Sequence, residues 1–421
     1  MNTPPTPSSD DVVTLRIDAV GAQGDGVARG ADGAAVYVPY SAPADIAEVR
    51  LQEGRGRLMR VVKPGPDRAD PVCRHFGVCG GCAVQHLNDA AYAAWKREMV
   101  VAALRSRGLE ADVEAPVRSP LASRRRAVFT ARRVKVGWRI GFKERGSREL
   151  AALSECPVMR PAIAAFLRKA PGLLSALPAD VRAAALHATQ TEEGLDVSLD
   201  KTGLEPLSRA AGALIGAAQA LDLARLSLDG DPVVAFRTPT VRMGRARVAL
   251  PPRAFLQATA EGEAALVGLA RGGLGDAARI ADLFCGLGSF ALPLAENASV
   301  YAADSERLAI DALKAAAGAA GGLKPITAER RDLFRRPLEA AALDAFGAVL
   351  FDPPRAGAAA QAERIAASSV RRVVAISCNA ATFARDARTL VDGGYALTRI
   401  ACVDQFLFAA HIELVGFFER R

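Results

Sequence analysis

The chain has 421 residues, half of them hydrophobic, with 54 Lys and Arg against 46 Asp and Glu and a net charge of +8. That length predicts two to four domains with sizeable cores, and no run of about 18 uncharged apolar residues marks a membrane span. The mild basic excess permits a nucleic-acid partner without requiring one, and seven cysteines with no export signal argue against a disulfide framework.

Residues 1–9 are polar and rich in Pro and Ser, which predicts a disordered tail and not a signal peptide. Residues 10–65 alternate apolar and polar positions between Gly-rich turns, as in VTLRIDAVGAQGDGVAR and AAVYVPYSAPADIAEVRL. This pattern predicts a small β-barrel of OB type, with an unrelated small β domain as the alternative. Residues 66–255 are predicted to form a central α+β domain, opening with three cysteines and a helix over 91–108.

Near the start of that domain, Ser123–Arg148 holds ten Lys or Arg and one Glu, with Val, Phe, Trp and Ile interleaved. It reads either as a solvated strand face or as a hairpin that contacts phosphates. In the second case Arg124, Arg125, Arg126, Arg132 and Arg133 are the candidate RNA contacts.

Residues 256–421 form the last predicted domain. From about residue 275, strand candidates alternate with Ala-rich helices, which argues a parallel, doubly wound sheet. The last two runs, YALTRIACVDQF and HIELVGFF, have no helix between them, so an antiparallel hairpin is expected at one edge.

Ligands of such sheets sit at the carboxyl ends of the strands, and four strand candidates end in suggestive residues. ADLFCGLGSF places Phe284, Gly286 and Ser289 in a turn where glycine lets the backbone approach a ligand. YAAD ends in Asp304, 16 residues beyond Gly288, where an acid can accept hydrogen bonds from a ribose diol. FDPPRAG carries Asp352 before two φ-fixing prolines. AISCNA ends a strand at Cys378, which is either a packed thiol or a nucleophile. In HIELVGFF, His411 and Glu413 would share one face of a strand, and an inward Glu is costly unless used or paired.

The remaining cysteines divide into two groups. Cys73, Cys79 and Cys82 have the spacing C-x5-C-x2-C, and Cys156 precedes Pro157. Four thiolates could hold zinc or an iron–sulfur cluster, or stay free. A single C-x-x-C knuckle is fewer than zinc sites usually have, and three close cysteines plus a distant Cys-Pro match a [4Fe-4S] arrangement better. Cys285 and Cys402 read as buried apolar fillers.

Taken together, Phe255-Leu256-Gln257, DLFCGLGSF, DPPRAG, SCN and the terminal HIE resemble the RNA uracil-5 methyltransferase family over nearly the whole chain. The first 65 residues look like the TRAM domain of its ribosomal-RNA branch. The resemblance implies an α/β fold with a C-terminal Rossmann-like methyltransferase domain, an N-terminal OB-like barrel and a central α+β domain carrying a [4Fe-4S] cluster. It implies S-adenosylmethionine as cofactor, held by Gln257, Phe284, Gly286, Ser289, Asp304, Asp332 and Asp352. It places Cys378 at the nucleophile position, Glu413 at that of the base, and Cys73, Cys79, Cys82 and Cys156 at the cluster ligands.

Departures from the family pattern are Ser289 where Asn is common, Asp304 where Glu is common, Asp332 where Asn is common, and a terminal loop without the usual Pro and Thr. The expected substrate is RNA, ribosomal in preference to transfer RNA, in a cytoplasmic monomer. A catalytically degenerate RNA-binding iron–sulfur protein and a methyltransferase acting on small molecules or proteins are the alternatives.

Overall fold

The computed structural model describes residues 12–52, 55–205 and 209–420, so the expected tail at 1–9 lies outside the described residues. The chain divides into two compact units. One comprises Met1–Met99, Lys143–Ala151 and Phe406–Ala410, and the other Val100–Phe142, Ala152–Gln405 and His411–Arg421. Among the described residues, no helix is long and apolar enough to cross a membrane.

In the first unit, strands Val12–Val20, Asp25–Arg29, Ala35–Pro39, Ile46–Gln52 and Arg55–Lys63 close into a barrel, the fifth strand lying between the third and the fourth. The alternation seen in the sequence turns Ile17, Ala28, Val36, Val38, Ala47 and Val49 inward, which is what a barrel too small to hold a ligand needs. The following segment is pinned to the barrel. Arg68 bridges the fully buried Asp45 at 2.5 Å, and the Trp95 indole N–H donates to the Gly21 carbonyl. Cys73, Cys79 and Cys82 lie on irregular turns of this segment. The Cys73 amide donates to Gln85, and Cys79 forms a β-bridge with Glu144.

The second unit holds two large sheets and a two-stranded one, Thr240–Met243 with Ala246–Ala249. The basic stretch forms the hairpin Arg126–Arg133 with Trp138–Lys143, as the alternation predicts, and pairs with Ala183–Thr191, followed by Gly194–Asp200, Leu223–Leu228 and Asp231–Ala235. Helices Pro161–Ser175 and Ala211–Ala220 bury Ile163, Phe166, Leu167 and Leu214 in the core of this sheet, and the half-buried Cys156 packs against it.

The larger sheet is doubly wound. Its order is Ile326–Arg330, Ser299–Asp304, Arg279–Leu283, Ala348–Phe351, Arg372–Ser377, Glu413–Arg420, Tyr395–Asp404. The first five strands are parallel, and Glu413–Arg420 runs antiparallel to both its neighbours. The expected terminal hairpin is present. It is not the outermost element, because Asp112–Val113 and Val117–Arg118 add beyond Tyr395–Asp404. Short strands of two residues blunt an edge that would otherwise offer unpaired backbone groups. Cys285 and Cys402 are buried fillers, as expected.

Candidate active site

Every crevice residue is set by where a strand stops. Phe284 follows Leu283, Asp304 ends its strand, Asp352 follows Phe351, and Cys378 follows Ser377. Glu413 begins an antiparallel strand, so it stands at the same end of the sheet as the carboxyl ends of its parallel neighbours. Pairing of Ile376 with Val415 and of Ser377 with Leu414 leaves Cys378 opposite Glu413 in the next register position. Two residues 35 positions apart in sequence are thereby brought to the same end of the sheet, each one step beyond the last pair of this ladder.

The turn after Leu283 is built for close approach. Phe284 adopts φ +64°, a left-handed conformation costly for an aromatic residue, and Gly286 and Gly288 are also left-handed. Gly288, at φ +94°, has a conformation that favours glycine, and a Cβ there would also meet the Leu313 side chain at 2.5 Å. The Gly286 amide donates to Asp304 Oδ2 at 2.9 Å and the Glu306 amide to Oδ1 at 2.8 Å. Asp304 thus holds the loop in shape as well as facing the crevice, and a ribose hydroxyl would use its remaining lone pairs. Asp332 caps its own turn, accepting from the Phe334 and Arg335 amides. This presents the half-exposed Phe334 to Phe284, ring centroids 5.4 Å apart. Ser289 donates to Glu263 Oε2 at 3.3 Å.

Deeper in, a chain of amides and carboxyls links Asp352 to Glu413. Gln257 Nε2 donates to Asp352 Oδ2 at 3.1 Å. Gln405 Nε2 donates to Gln257 Oε1 at 2.6 Å and to Glu413 Oε1 at 3.1 Å. Glu413 Oε2 is buried with no protein partner. Burial, then the charge of Asp352, pushes the Glu413 pKa up to about 8, against the Gln405 hydrogen bond and the cations Arg126 and Arg355. Burial pushes Asp352 up to about 7, with Gln257 opposing. Asp282 is fully buried, neither of its oxygens has a well-formed hydrogen bond, and burial followed by Asp352 and Asp304 raises it well above the ordinary carboxyl range. The half-buried Cys378 is raised to about 11 by burial and then by Glu413 and Asp352, with Arg355 pulling the other way. Buried carboxyls without matching cations are costly. A cationic ligand would relieve them, and the sulfonium and ammonium groups of S-adenosylmethionine fit that need.

Both raised carboxyls make a stability prediction. Their folded pKa values, about 8 and about 7, exceed the ordinary 4.5 and 3.8. Their contribution to stability is complete below the ordinary values and is lost as pH rises through 7 to 8. Glu413→Gln cannot ionise. Thermal denaturation should therefore place its Tm above wild type at pH 9 and level with it near pH 5.

The five arginines singled out in the sequence differ in what their donors reach. Arg125 is 5% exposed; it pairs with Glu263 at 2.7 Å and donates to the Gln257 carbonyl. Arg133 donates to the carbonyls of Val181, Leu177 and Pro178. Both spend their donors on protein groups, Arg125 buried and Arg133 half-buried. Arg124 and Arg132 are half-buried. Arg126 lies over the ring of Phe255, itself 66% exposed, at 4.4 Å, and its Nε is buried without a partner. Burial, then Arg124 and Arg125, pulls Arg126 down to about 10. His411 differs from expectation. The strand starts only at Glu413, and the His411 ring lies 3.2 Å from Arg355 instead of sharing a strand face with Glu413.

The sequence reading missed Gln405, Glu263, Arg355 and Phe334. Of these, Arg355 carried a signal as part of the DPPRAG motif. Among the described residues, no three His, Cys, Asp or Glu side chains are grouped to hold a metal ion.

Comparison with known proteins settles the family. Residues 253–421 match the model of the tRNA (uracil-5-)-methyltransferase family. An uncharacterized RNA methyltransferase of Caulobacter vibrioides is 47% identical over 414 residues, 96% of this chain and 99% of that protein. The 23S rRNA (uracil(1939)-C(5))-methyltransferase RlmD of Cronobacter sakazakii is 32% identical across 97% of this chain and 96% of its own. The chain belongs to the RNA uracil-5 methyltransferase family. With that membership it is an S-adenosylmethionine-dependent RNA methyltransferase. The crystal structure of a Pyrococcus abyssi tRNA (uracil-54, C5)-methyltransferase with S-adenosyl-L-homocysteine shares the fold. Its TM-score is 0.73 at 22% identity, with 96% of this chain and 99% of that one covered.

Proposed function

We propose that the protein methylates C5 of a uridine in ribosomal RNA, with Cys378 as nucleophile and Glu413 as base. The register that sets Cys378 opposite Glu413 at the cofactor end of the sheet carries this reading. C5 of uracil is a poor nucleophile. The Cys378 thiolate adds to C6, forming an S–C6 bond and moving the C5–C6 π pair onto C5 and O4. S-Adenosylmethionine, when bound, supplies an electrophilic methyl group for that carbon. Glu413 then takes the C5 proton. The C–H pair rebuilds the C5–C6 double bond, the S–C6 bond breaks, and the thiolate returns. A base with a pKa of about 8 is well matched to this task near neutral pH.

Gln257, Phe284, Gly286, Ser289, Asp304, Asp332 and Asp352 are the proposed cofactor contacts. A structured RNA must release its uridine from the stack to reach such a crevice. Arg124, Arg126 and Arg132 are proposed to hold its backbone, with Arg125 and Arg133 fixing the hairpin that carries them. The Cronobacter relative, aligned along almost the whole chain, supports ribosomal RNA. The family model's name supports transfer RNA as the second substrate class.

Cys73, Cys79, Cys82 and Cys156 are proposed as [4Fe-4S] ligands. Their spacing supports this, as does the Gly81 amide donating to Cys79 Sγ at 3.4 Å, a bond suited to a ligating thiolate. No reaction step is assigned to the cluster.

Incubation with methyl-labelled S-adenosylmethionine and ribosomal RNA from a strain lacking the gene should place label in 5-methyluridine after digestion. Label in another nucleoside, or none while the cofactor binds, would contradict the reading. Label only in transfer RNA would move the substrate there.

A further inference from the structure

Gln405 touches both halves of the site, and its orientation is fixed by the backbone. It is fully buried. Its Oε1 accepts from the Ala258 amide at 2.7 Å, with the Thr259 amide at 3.4 Å. Since Oε1 faces backbone donors, Nε2 must face away from them, and its two hydrogens go to Gln257 Oε1 and Glu413 Oε1. Two consequences follow from donor and acceptor chemistry. Gln257 is forced to present its own Nε2 to Asp352. Glu413 Oε1 is forced to be an acceptor, which leaves Oε2, the oxygen with no protein partner, as the one able to take or carry a proton.

On the reading of Glu413 as the base, we propose that Gln405 is the positioning residue that sets which Glu413 oxygen receives the C5 proton and favours the ionised form of that carboxyl. The other groups facing Glu413 are Asp352 and Arg355 on the loop after Ala348–Phe351, Arg126 on the hairpin, and Cys378 after Arg372–Ser377. Gln405 differs from these groups in donating a hydrogen bond to Glu413, at 3.1 Å.

Gln405→Glu separates positioning from packing. It keeps an oxygen for the Ala258 amide and the side-chain volume, and replaces the donor facing Glu413 with a second carboxyl. Formation of the Cys378–RNA adduct should proceed. Its resolution should slow roughly 10–100-fold at pH 7, the range a perturbed general base gives, and the pH profile of resolution should move to higher pH. Covalent protein–RNA complex should therefore build up at neutral pH and clear at pH 9. Resolution at the wild-type rate with an unshifted profile would overturn the proposal. If this variant does not fold, Gln405→Met is read by the same two measurements. Failure of the underlying reading looks different. Wild type would then give no 5-methyluridine and Glu413→Gln no trapped complex, whatever Gln405 does.

Discussion

Glu413→Gln should leave the RNA attached to the protein. The substitution keeps the shape and the Gln405 contact but cannot accept a proton. In the proposed mechanism, addition of Cys378 to C6 and methylation of C5 do not need the base, whereas elimination does. Product release should fall by about 10²–10⁴-fold, the usual worth of a positioned general base. A denaturing gel with labelled RNA should show a band at the summed mass of protein and RNA, resistant to heat and detergent. The same variant loses a buried ionisable group whose pKa stands near 8, so the loss of release should come with undiminished folding stability. Normal turnover by Glu413→Gln would remove Glu413 from the mechanism.

Cys378→Ala should abolish both the adduct and the product. Without the thiol, C5 gains no electron density, and no neighbouring group replaces it, since Asp352 and Glu413 are held by Gln257 and Gln405. Methylation should drop on the order of 10⁴-fold or more, as loss of a covalent nucleophile typically costs. RNA affinity, measured at several salt concentrations, should stay within a few-fold of wild type with the same salt slope, because Cys378 is not among the proposed phosphate contacts. A thiol raised to about 11 in the free protein is a poor nucleophile at pH 7. Binding of a cationic cofactor beside Asp352 should lower it. Alkylation of Cys378 by a small thiol reagent should then be faster with S-adenosylmethionine present wherever access is kept.

The strand-end residues were legible because apolar runs of five or six residues stop abruptly at Phe284, Asp304, Asp352 and Cys378, and in a doubly wound sheet such ends converge. The barrel was legible from alternation and glycine. Side-chain direction within the basic hairpin was not. Arg125 and Arg133 look like Arg124 and Arg132 in sequence, yet two are used by Glu263 and by backbone carbonyls that only the fold brings near. Gln405 lay hidden for the same reason, since its partners, Gln257 and the Ala258 amide, are nearly 150 positions away. His411 shows the limit of period-two arguments. The strand begins two residues later than the apolar run, so the shared face never forms.

The most direct test of the chemistry follows the hydrogen that must leave. RNA substrate made with tritium at C5 of uridine should release tritium to water only when S-adenosylmethionine is present, one atom for each methyl group gained. Methyl transfer without tritium release would place the methyl on another atom and contradict the assignment of Cys378 and Glu413.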